Sequence, residues 1–146
     1  MQIKRIIPSA LLVAVLAGSL IQTPAAAASS PRAKMLRILN AVRDRHNLSR
    51  LDLNKRVSRY ATRHSRDMAN ARQLFHTSNL YSKVSRYNPE YWGENVGYAS
   101  WVKRIVRLWM RSASHRANIL NGHFRKAGIG VVDGGRWTYA TLILYG

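Results

Sequence analysis

Residues 128–144, GIGVVDGGRWTYATLIL, carry the clearest signal for a fold class in this chain. Two runs rich in β-branched and aromatic residues, 128–132 and 137–144, flank the turn sequence Asp133-Gly134-Gly135. Such runs on either side of a glycine turn predict a β-hairpin. Residues 92–98 are a candidate for one more strand. The end of the chain therefore predicts a small antiparallel sheet.

Upstream of the hairpin, apolar residues recur at helical spacing. Helices are predicted from Met35 to about Asn47, from an N-cap at Asp52 to about Ala71, over 99–112, and as a short turn over 115–120. The segment from Gln73 to Pro89 has no steady period. Helices followed by antiparallel strands predict a single α+β domain with layered helices and sheet.

The N-terminus predicts a secretory signal peptide. Lys4 and Arg5 precede the largely apolar stretch 6–21, and a run of alanines ends at Ala28. Pro8 interrupts the apolar stretch, which is short for a membrane span, so cleavage near Ala28 is favoured over anchoring. No second apolar stretch of membrane length follows, so no transmembrane segment is expected in the mature chain.

These features predict a secreted, extracellular protein in three parts. They are a signal peptide (1–28), a short polar lead (29–34) and one domain (35–146), which suits a length of 146 residues. Cysteine is absent, so disulfides and thiolate metal sites are excluded, and packing alone must hold the exported form together. The sequence carries no signal for an oligomeric state.

The charge of the chain points to an anionic partner. The full chain has 24 Lys and Arg against six Asp and Glu; without Lys4 and Arg5 of the signal peptide, 22 remain, a net charge of +16. A charge this one-sided costs self-repulsion and usually matches a polyanion. Export favours anionic cell-wall polymers or lipid surfaces over nucleic acid, and a nucleic-acid-binding basic protein stays an alternative.

Six basic residues form two stripes at four-residue steps. They are Lys55, Arg59 and Arg63 on the second predicted helix and Lys103, Arg107 and Arg111 on the third. Solvated helix faces usually alternate Glu with Lys, whereas these like charges stack without compensation. The stripes therefore favour a binding surface for polyanions over a merely solvated face.

Among the five histidines, two stand in distinctive contexts. His76 lies in the sequence Phe-His-Thr-Ser, and His115 lies in Trp-Met-Arg-Ser-Ala-Ser-His-Arg-Ala-Asn-Ile-Leu-Asn. Glu94, in Gly-Glu-Asn-Val, is one of two glutamates. His64 falls on an apolar helix stripe and is predicted to be a buried, hydrogen-bonded core residue, and His46 and His123 are predicted to be exposed. Spacing alone does not join these residues into a site.

The three motifs, in this order and followed by Phe124 and Gly-Ile-Gly at 128–130, resemble the CAP superfamily of SCP/PR-1-like domains in its compact bacterial form. The resemblance runs over residues 35–146. It implies an α-β-α sandwich with a cleft into which His76, Glu94 and His115 project. The sequence departs from the family pattern at two positions. Ser112 stands where eukaryotic relatives carry a second glutamate, and Tyr139 stands where relatives often have a glutamine after Trp-Thr.

Two imidazoles and one carboxylate suit a divalent metal such as zinc with an open coordination position. His76, Glu94 and His115 are therefore the candidate metal ligands. Two other interpretations stay open: a pH-sensitive polar cluster without metal, and a structural cluster that fastens helices to the sheet.

The residue pattern favours a secreted binding module over an enzyme. Ser78 and Ser114 are near the histidines in sequence, but neither lies in a nucleophile-elbow pattern. The enzymatic alternative is a metal-dependent hydrolase acting on envelope or host polymers, with His76, Glu94 and His115 as its catalytic residues.

Overall fold

The computed structural model describes residues 30–146. The predicted signal peptide and its cleavage near Ala28 lie outside the described residues. The helices are α1 (Pro31–Asp44), α2 (Lys55–Ala71), α3 (Tyr81–Val84), α4 (Val102–Arg111) and α5 (Ala113–Ile119), with a 3-10 turn at Ser85–Tyr87. The strands are β1 (Asp52–Leu53), β2 (Trp92–Ala99), β3 (Lys126–Asp133) and β4 (Thr138–Tyr145).

Helix α1 begins earlier than the apolar pattern predicts. Ser30 is its N-cap and accepts a 3.2 Å hydrogen bond from the backbone N–H of Ala33, while Pro31 occupies the start of the helix. Proline suits this position because its missing N–H has no helical partner there. Residues 31–34, predicted as a polar lead, are therefore the first turn of α1.

The predicted N-cap of α2 at Asp52 is wrong. Asn54 caps the helix, and its side-chain oxygen accepts from the N–H groups of Arg56 and Val57 at 2.9 and 3.0 Å. Asp52 instead lies in β1, which pairs in parallel with β3. Helix α3 and the 3-10 turn were not predicted either, because they are too short to show a period.

The sheet has the order β1-β3-β4-β2, antiparallel except for the short β1–β3 pair. Strand β4 lies between β3 and β2, and helices cover both of its faces. Leu142 and Leu144 pack against α1, α4 and α5, whereas Ile143 and Tyr145 pack on the α2 side. The architecture is the predicted α+β, α-β-α sandwich. No helix within residues 30–146 has the length and apolar character needed to cross a membrane.

Two glycines of β3 let α2 lie directly on the sheet. A Cβ atom at Gly130 would lie 2.2 Å from the carbonyl group of Ala61, and one at Gly128 would lie 2.3 Å from Val57. The contact is completed by Ser65 of α2, whose buried hydroxyl bonds to the Thr141 hydroxyl at 2.9 Å. Helix α2 thus has one fixed position over β3 and β4.

Candidate functional site

The candidate site lies at the free edge of the sheet, on β2. In the β2–β4 register Glu94 is opposite Ile143 and Asn95 is opposite Leu142. Since successive strand residues point to opposite faces, Glu94 faces the α2 side and Asn95 faces the α5 side. The edge strand therefore presents a carboxylate to one layer and an amide to the other.

Side chains from α4 and α5 cover part of this edge. The Glu94 carbonyl accepts a 3.2 Å bond from the Asn118 amide, and the Val96 carbonyl accepts a 2.9 Å bond from the indole N–H of Trp109. A Cβ at Gly97 would lie 2.8 Å from that indole nitrogen, so a glycine is needed for the approach. Covered edge carbonyls are unable to recruit another strand.

An amide pair fixes His115 relative to β2. Asn95 donates to the backbone carbonyl of His115 at 2.9 Å, and Asn118 donates to the side-chain oxygen of Asn95 at 2.9 Å. These bonds hold α5, and with it His115, against the edge strand.

The Glu94 carboxylate is buried, with 3% of its side chain exposed, and it accepts from three donors. Its Oε1 accepts from His76 Nδ1 at 2.8 Å and from the Thr77 backbone N–H at 2.9 Å, and its Oε2 accepts from the Thr77 hydroxyl. A buried charge needs such partners, because an unpaired one is costly. These bonds attach the segment after α2 to β2.

This contact also fixes which nitrogen of His76 is free. A carboxylate only accepts, so Nδ1 carries a hydrogen, and in the neutral ring Nε2 keeps the lone pair. The His76 side chain is 65% exposed. The segment Gln73–Pro89 therefore does not cover this imidazole, and Nε2 is left for a ligand.

His115 lies at the start of α5 and is half-buried. Burial, and then the charge of nearby His76, lower the pKa of its imidazole. Its ring is 6.4 Å from the ring of Trp109. Because its pKa is lowered, His115 is neutral near pH 7, and the neutral imidazole is the form that binds metals.

A groove of about 450 Å³ opens beside His115. Its walls are mainly apolar and aromatic, and include Leu74, Tyr98, Leu108 and Trp137. Arg104 and Ser112 add polar groups. Ser112 occupies the position that the CAP resemblance assigns to a second glutamate, so the groove has a hydroxyl group there.

The predicted ligand set fits a metal only in part. Within residues 30–146, no three His, Asp or Glu side chains are grouped as a metal centre requires. His76 and Glu94 are in direct contact, but both oxygens of Glu94 already accept from the protein. Glu94 thus orients His76, as carboxylates behind metal-binding imidazoles commonly do, and two imidazoles remain as candidate ligands.

Two of the other predicted polar residues, His64 and Ser78, line a second pocket together with His76. His64 is hydrogen-bonded as predicted, to the Phe75 carbonyl at 2.9 Å, although it is half-buried and not a core residue. His46 and His123 are exposed, as predicted. Ser78 and Ser114 are exposed, and in the part of the chain that the structure describes neither hydroxyl is hydrogen-bonded to an imidazole.

Sequence reasoning gave no role to Thr77 or to Arg43. Thr77 supplies two of the three donors to Glu94. Arg43 is fully buried, and its guanidinium donates to the backbone carbonyls of Ser49, Ile119, Asn121 and Phe124 at 2.7–3.0 Å. The available signal was chemical: a buried glutamate requires donors nearby, and an arginine on an apolar helix face requires acceptors.

An α-β-α sandwich with a carboxylate-held histidine at its free edge defines a recognisable class. Residues 36–145 match the model of the CAP, or cysteine-rich secretory protein, family. The chain belongs to this family. It is 32% identical over 113 residues to the uncharacterized protein YkwD of Bacillus subtilis, a match that covers 72% of this chain and 44% of YkwD.

Solved structures share the fold. An extracellular protein of Bacillus anthracis that contains an SCP domain has a TM-score of 0.69 and 27% identity, over 79% of this chain and 40% of its own. An outer surface protein of Borrelia burgdorferi has a TM-score of 0.72 and 15% identity, over 80% of this chain and 92% of its own. The chain thus spans less than half of the two Bacillus proteins.

Proposed function

We propose that this protein is a secreted CAP-domain binding module whose cleft binds a divalent metal such as zinc, or a small polar ligand, through His76 and His115. One observation carries the proposal: a buried carboxylate, satisfied by three donors, orients an imidazole that is itself 65% exposed. A structural cluster gains nothing from leaving the imidazole in solvent, whereas a binding site needs it there.

The two imidazoles provide the chemistry of the site. His76 offers Nε2, and the carboxylate at Nδ1 fixes the tautomer and the orientation of the ring. His115 is kept neutral by burial. A bound zinc ion would supply Lewis acidity, and two protein ligands leave positions for an exogenous group.

Calorimetric titration of zinc into tag-free, metal-stripped protein tests this site. We expect one site, lost in His76→Ala and in His115→Ala, and unchanged in the control His46→Ala, which removes an exposed histidine elsewhere. Glu94→Gln is expected to weaken binding about 10- to 100-fold, as loss of an orienting partner does. Equal binding by wild type and both cleft variants would assign zinc to other groups and leave the cluster structural.

Secretion is the second part of the proposal. The predicted signal peptide over 1–28 supports it, as do relatives described as extracellular or outer surface proteins. Mass spectrometry of protein recovered from the medium checks it: a mature N-terminus at or next to Ser29 is expected, and retention of the whole chain in the cell would contradict it.

The third part concerns the cationic exterior. All six residues of the two basic stripes are exposed. Binding to anionic envelope components should therefore fall steeply with salt, because it releases counterions. We expect the protein to be retained on an anionic wall-polymer column at low salt and to be released by added salt. No retention at low salt would contradict the proposed binding to anionic envelope components.

The metal-dependent hydrolase alternative gains no support from the described geometry, since both oxygens of Glu94 already accept hydrogen bonds from His76 and Thr77 and are not free to bind a metal or act as a base. It predicts turnover that disappears on chelation and in Glu94→Ala. Nucleic-acid binding rests on charge alone.

A further inference from the structure

One face of the molecule combines exposed apolar side chains with basic ones, and we propose that it docks on an anionic lipid bilayer. This docking face consists of Trp101, Arg104, Arg107, Leu108 and Arg111, all on the exposed side of α4 or at its N-cap. The inference rests on the proposed cationic exterior and names its partner and its location.

The docking face carries the most exposed apolar side chains of residues 30–146. Trp101 is 53% exposed and Leu108 is 46% exposed, the two highest values among the large hydrophobic residues that the structure describes. Several of the other exposed aromatics have an aromatic partner, such as Tyr91 on His123 at 4.1 Å. Trp101 instead lies beside Arg104, whose guanidinium group is 6.0 Å from the centroid of the indole ring.

Helical geometry places these residues side by side. Positions 101, 104, 108 and 111 are three or four residues apart and so share one face of α4. The opposite face, with Val102, Ile105, Val106 and Trp109, is buried in the core. The exposed face is thus held in a fixed orientation by a well-packed helix.

The basic residues of this face have no acidic counterpart nearby. Helix α4 contains no Asp or Glu, and none of the ion pairs in the described residues involves its arginines. An anionic surface attracts each Lys or Arg near it with about 1 kcal/mol, or about fivefold in affinity. Charge complementarity therefore favours a negatively charged partner.

The exposed apolar residues favour a bilayer over a soluble polyanion as the partner of this face. A polyanion satisfies the arginines but gains little from an exposed leucine, whereas the bilayer interface takes up both leucine and tryptophan. Leu108 and Arg104 also line the apolar groove together with Leu74 and Tyr98, so the apolar surface continues past the helix. The combination fits a lipid surface.

Helix α2 supplies a matched control within the same molecule. Its stripe of Lys55, Arg59 and Arg63 carries the same charge as the three arginines of the docking face, but α2 exposes no large hydrophobic side chain. Replacing three charges on either helix changes the net charge equally. Only the replacement on α4 alters the proposed docking face.

The test uses the predicted mature chain, residues 29–146, and circular dichroism and a cooperative melt confirm the folding of wild type and of each variant. The apolar stretch 6–21 is left out because it would bind bilayers by itself. Binding is measured to phosphatidylcholine vesicles, to vesicles with one third phosphatidylglycerol, and to soluble polyphosphate. Trp101→Ser/Leu108→Ser, Arg104→Gln/Arg107→Gln/Arg111→Gln and Lys55→Gln/Arg59→Gln/Arg63→Gln are compared with wild type.

We expect salt-sensitive binding to the anionic vesicles and to polyphosphate but not to phosphatidylcholine vesicles, with a blue shift of tryptophan emission on the anionic vesicles. The Trp101/Leu108 variant should lose about tenfold or more in vesicle affinity yet keep its affinity for polyphosphate. The triple variant of α4 should lose far more vesicle affinity than the triple variant of α2.

Three results would overturn the docking face. Unchanged vesicle affinity in the Trp101/Leu108 variant, or equal losses in the two triple variants, would mean undirected attraction of a basic protein, and the proposed cationic exterior would survive. No binding to vesicles or polyphosphate at low salt would contradict the cationic exterior as well. None of the three results bears on the zinc experiment at His76 and His115.

Discussion

The buried Glu94 carboxylate receives its hydrogen bonds from two adjacent residues of one short segment. His76 and Thr77 together supply its three hydrogen-bond donors, so the segment after α2 is fixed to the edge strand by a single carboxylate. Hydrogen bonds to a buried charge are worth more than neutral ones, and leaving one unmade costs the desolvation of that charge. The stability of the site should therefore respond to small chemical changes at these residues.

Replacing Thr77 by valine tests this dependence. Thr77→Val keeps the shape and the backbone N–H but removes the hydroxyl that bonds to Glu94 Oε2. We expect the free energy of unfolding to fall by about 1–3 kcal/mol, measured by urea denaturation. The control Ser78→Ala changes an exposed hydroxyl next to it and should have little effect. Equal stability of the two variants would contradict the assigned role of Thr77.

His115 should make stability depend on pH. Its pKa is lowered in the folded protein by burial and by the charge of His76. The unfolded chain therefore takes up this proton at higher pH, so the free energy of unfolding falls as pH drops below about 6.5 and stops falling below the folded pKa.

Substitution isolates this contribution. With a chelator present, His115→Asn should lose less stability than wild type between pH 7 and pH 5, as measured by chemical denaturation at each pH. His123→Asn, which removes an exposed histidine, should behave like wild type. Identical pH profiles for wild type and His115→Asn would contradict the lowered pKa.

At the scale of elements, the close approach of α2 to β3 depends on two residues without side chains. Gly128 and Gly130 leave room for the α2 backbone, and Ser58 and Ser65 on the helix place hydroxyls against the sheet. The Ser58 hydroxyl accepts from the N–H of Ile129 at 3.1 Å. Helix and strand are thus joined by hydrogen bonds that exist only at this short separation.

Gly130→Ala should push the helix off the strand. The new Cβ would lie 2.2 Å from the backbone of Ala61, which has no flexible side chain to move aside. We expect a loss of about 3 kcal/mol or more in thermal or urea unfolding. Gly122→Ala is the control, because its Cβ would lie 3.7 Å from Leu48, an ordinary contact. A mild effect at Gly130 would show that α2 shifts freely.

For the whole molecule, charge and packing act against each other. Residues 30–146 hold 22 Lys and Arg and six Asp and Glu. Arg50 pairs with Asp44 and Lys126 with Asp52, both at exposed positions where such pairs contribute little. Repulsion among the remaining positive charges opposes the compact state, and the two-sided core balances it.

Added salt should therefore stabilise the fold. Screening weakens repulsion between exposed charges, so the melting temperature should rise as sodium chloride increases from low concentration to about 0.5 M, where the Debye length is about 4 Å. Differential scanning calorimetry measures the melting temperature at each salt concentration. In the α2 triple variant Lys55→Gln/Arg59→Gln/Arg63→Gln we expect a smaller rise, because fewer positive charges repel each other. A melting temperature that falls with salt would mean that attractive pairs dominate.

Arg43 also acts on the whole molecule. It joins the end of α1 to Ser49 and to carbonyls between Ile119 and Phe124, segments far apart in the chain. Burial is the main cause of its lowered guanidinium pKa, and the carbonyls around it compensate the buried charge. Its place on the apolar face of α1 is the one local sign that it is buried. Its acceptors could not be predicted, because they come from loops that meet only on folding.

By itself, the sequence determined the elements whose signal is local. Helical periodicity identified α1, α2 and α4, β-branched runs around Asp133-Gly134-Gly135 identified the β3–β4 hairpin, and three motifs identified the family. Tertiary structure alone decided how the site is built. Glu94 faces Thr77 and His76 because of the β2–β4 register, and its oxygens hold an imidazole. Register and burial arise from contacts distant in sequence, so no pattern along the chain contains them.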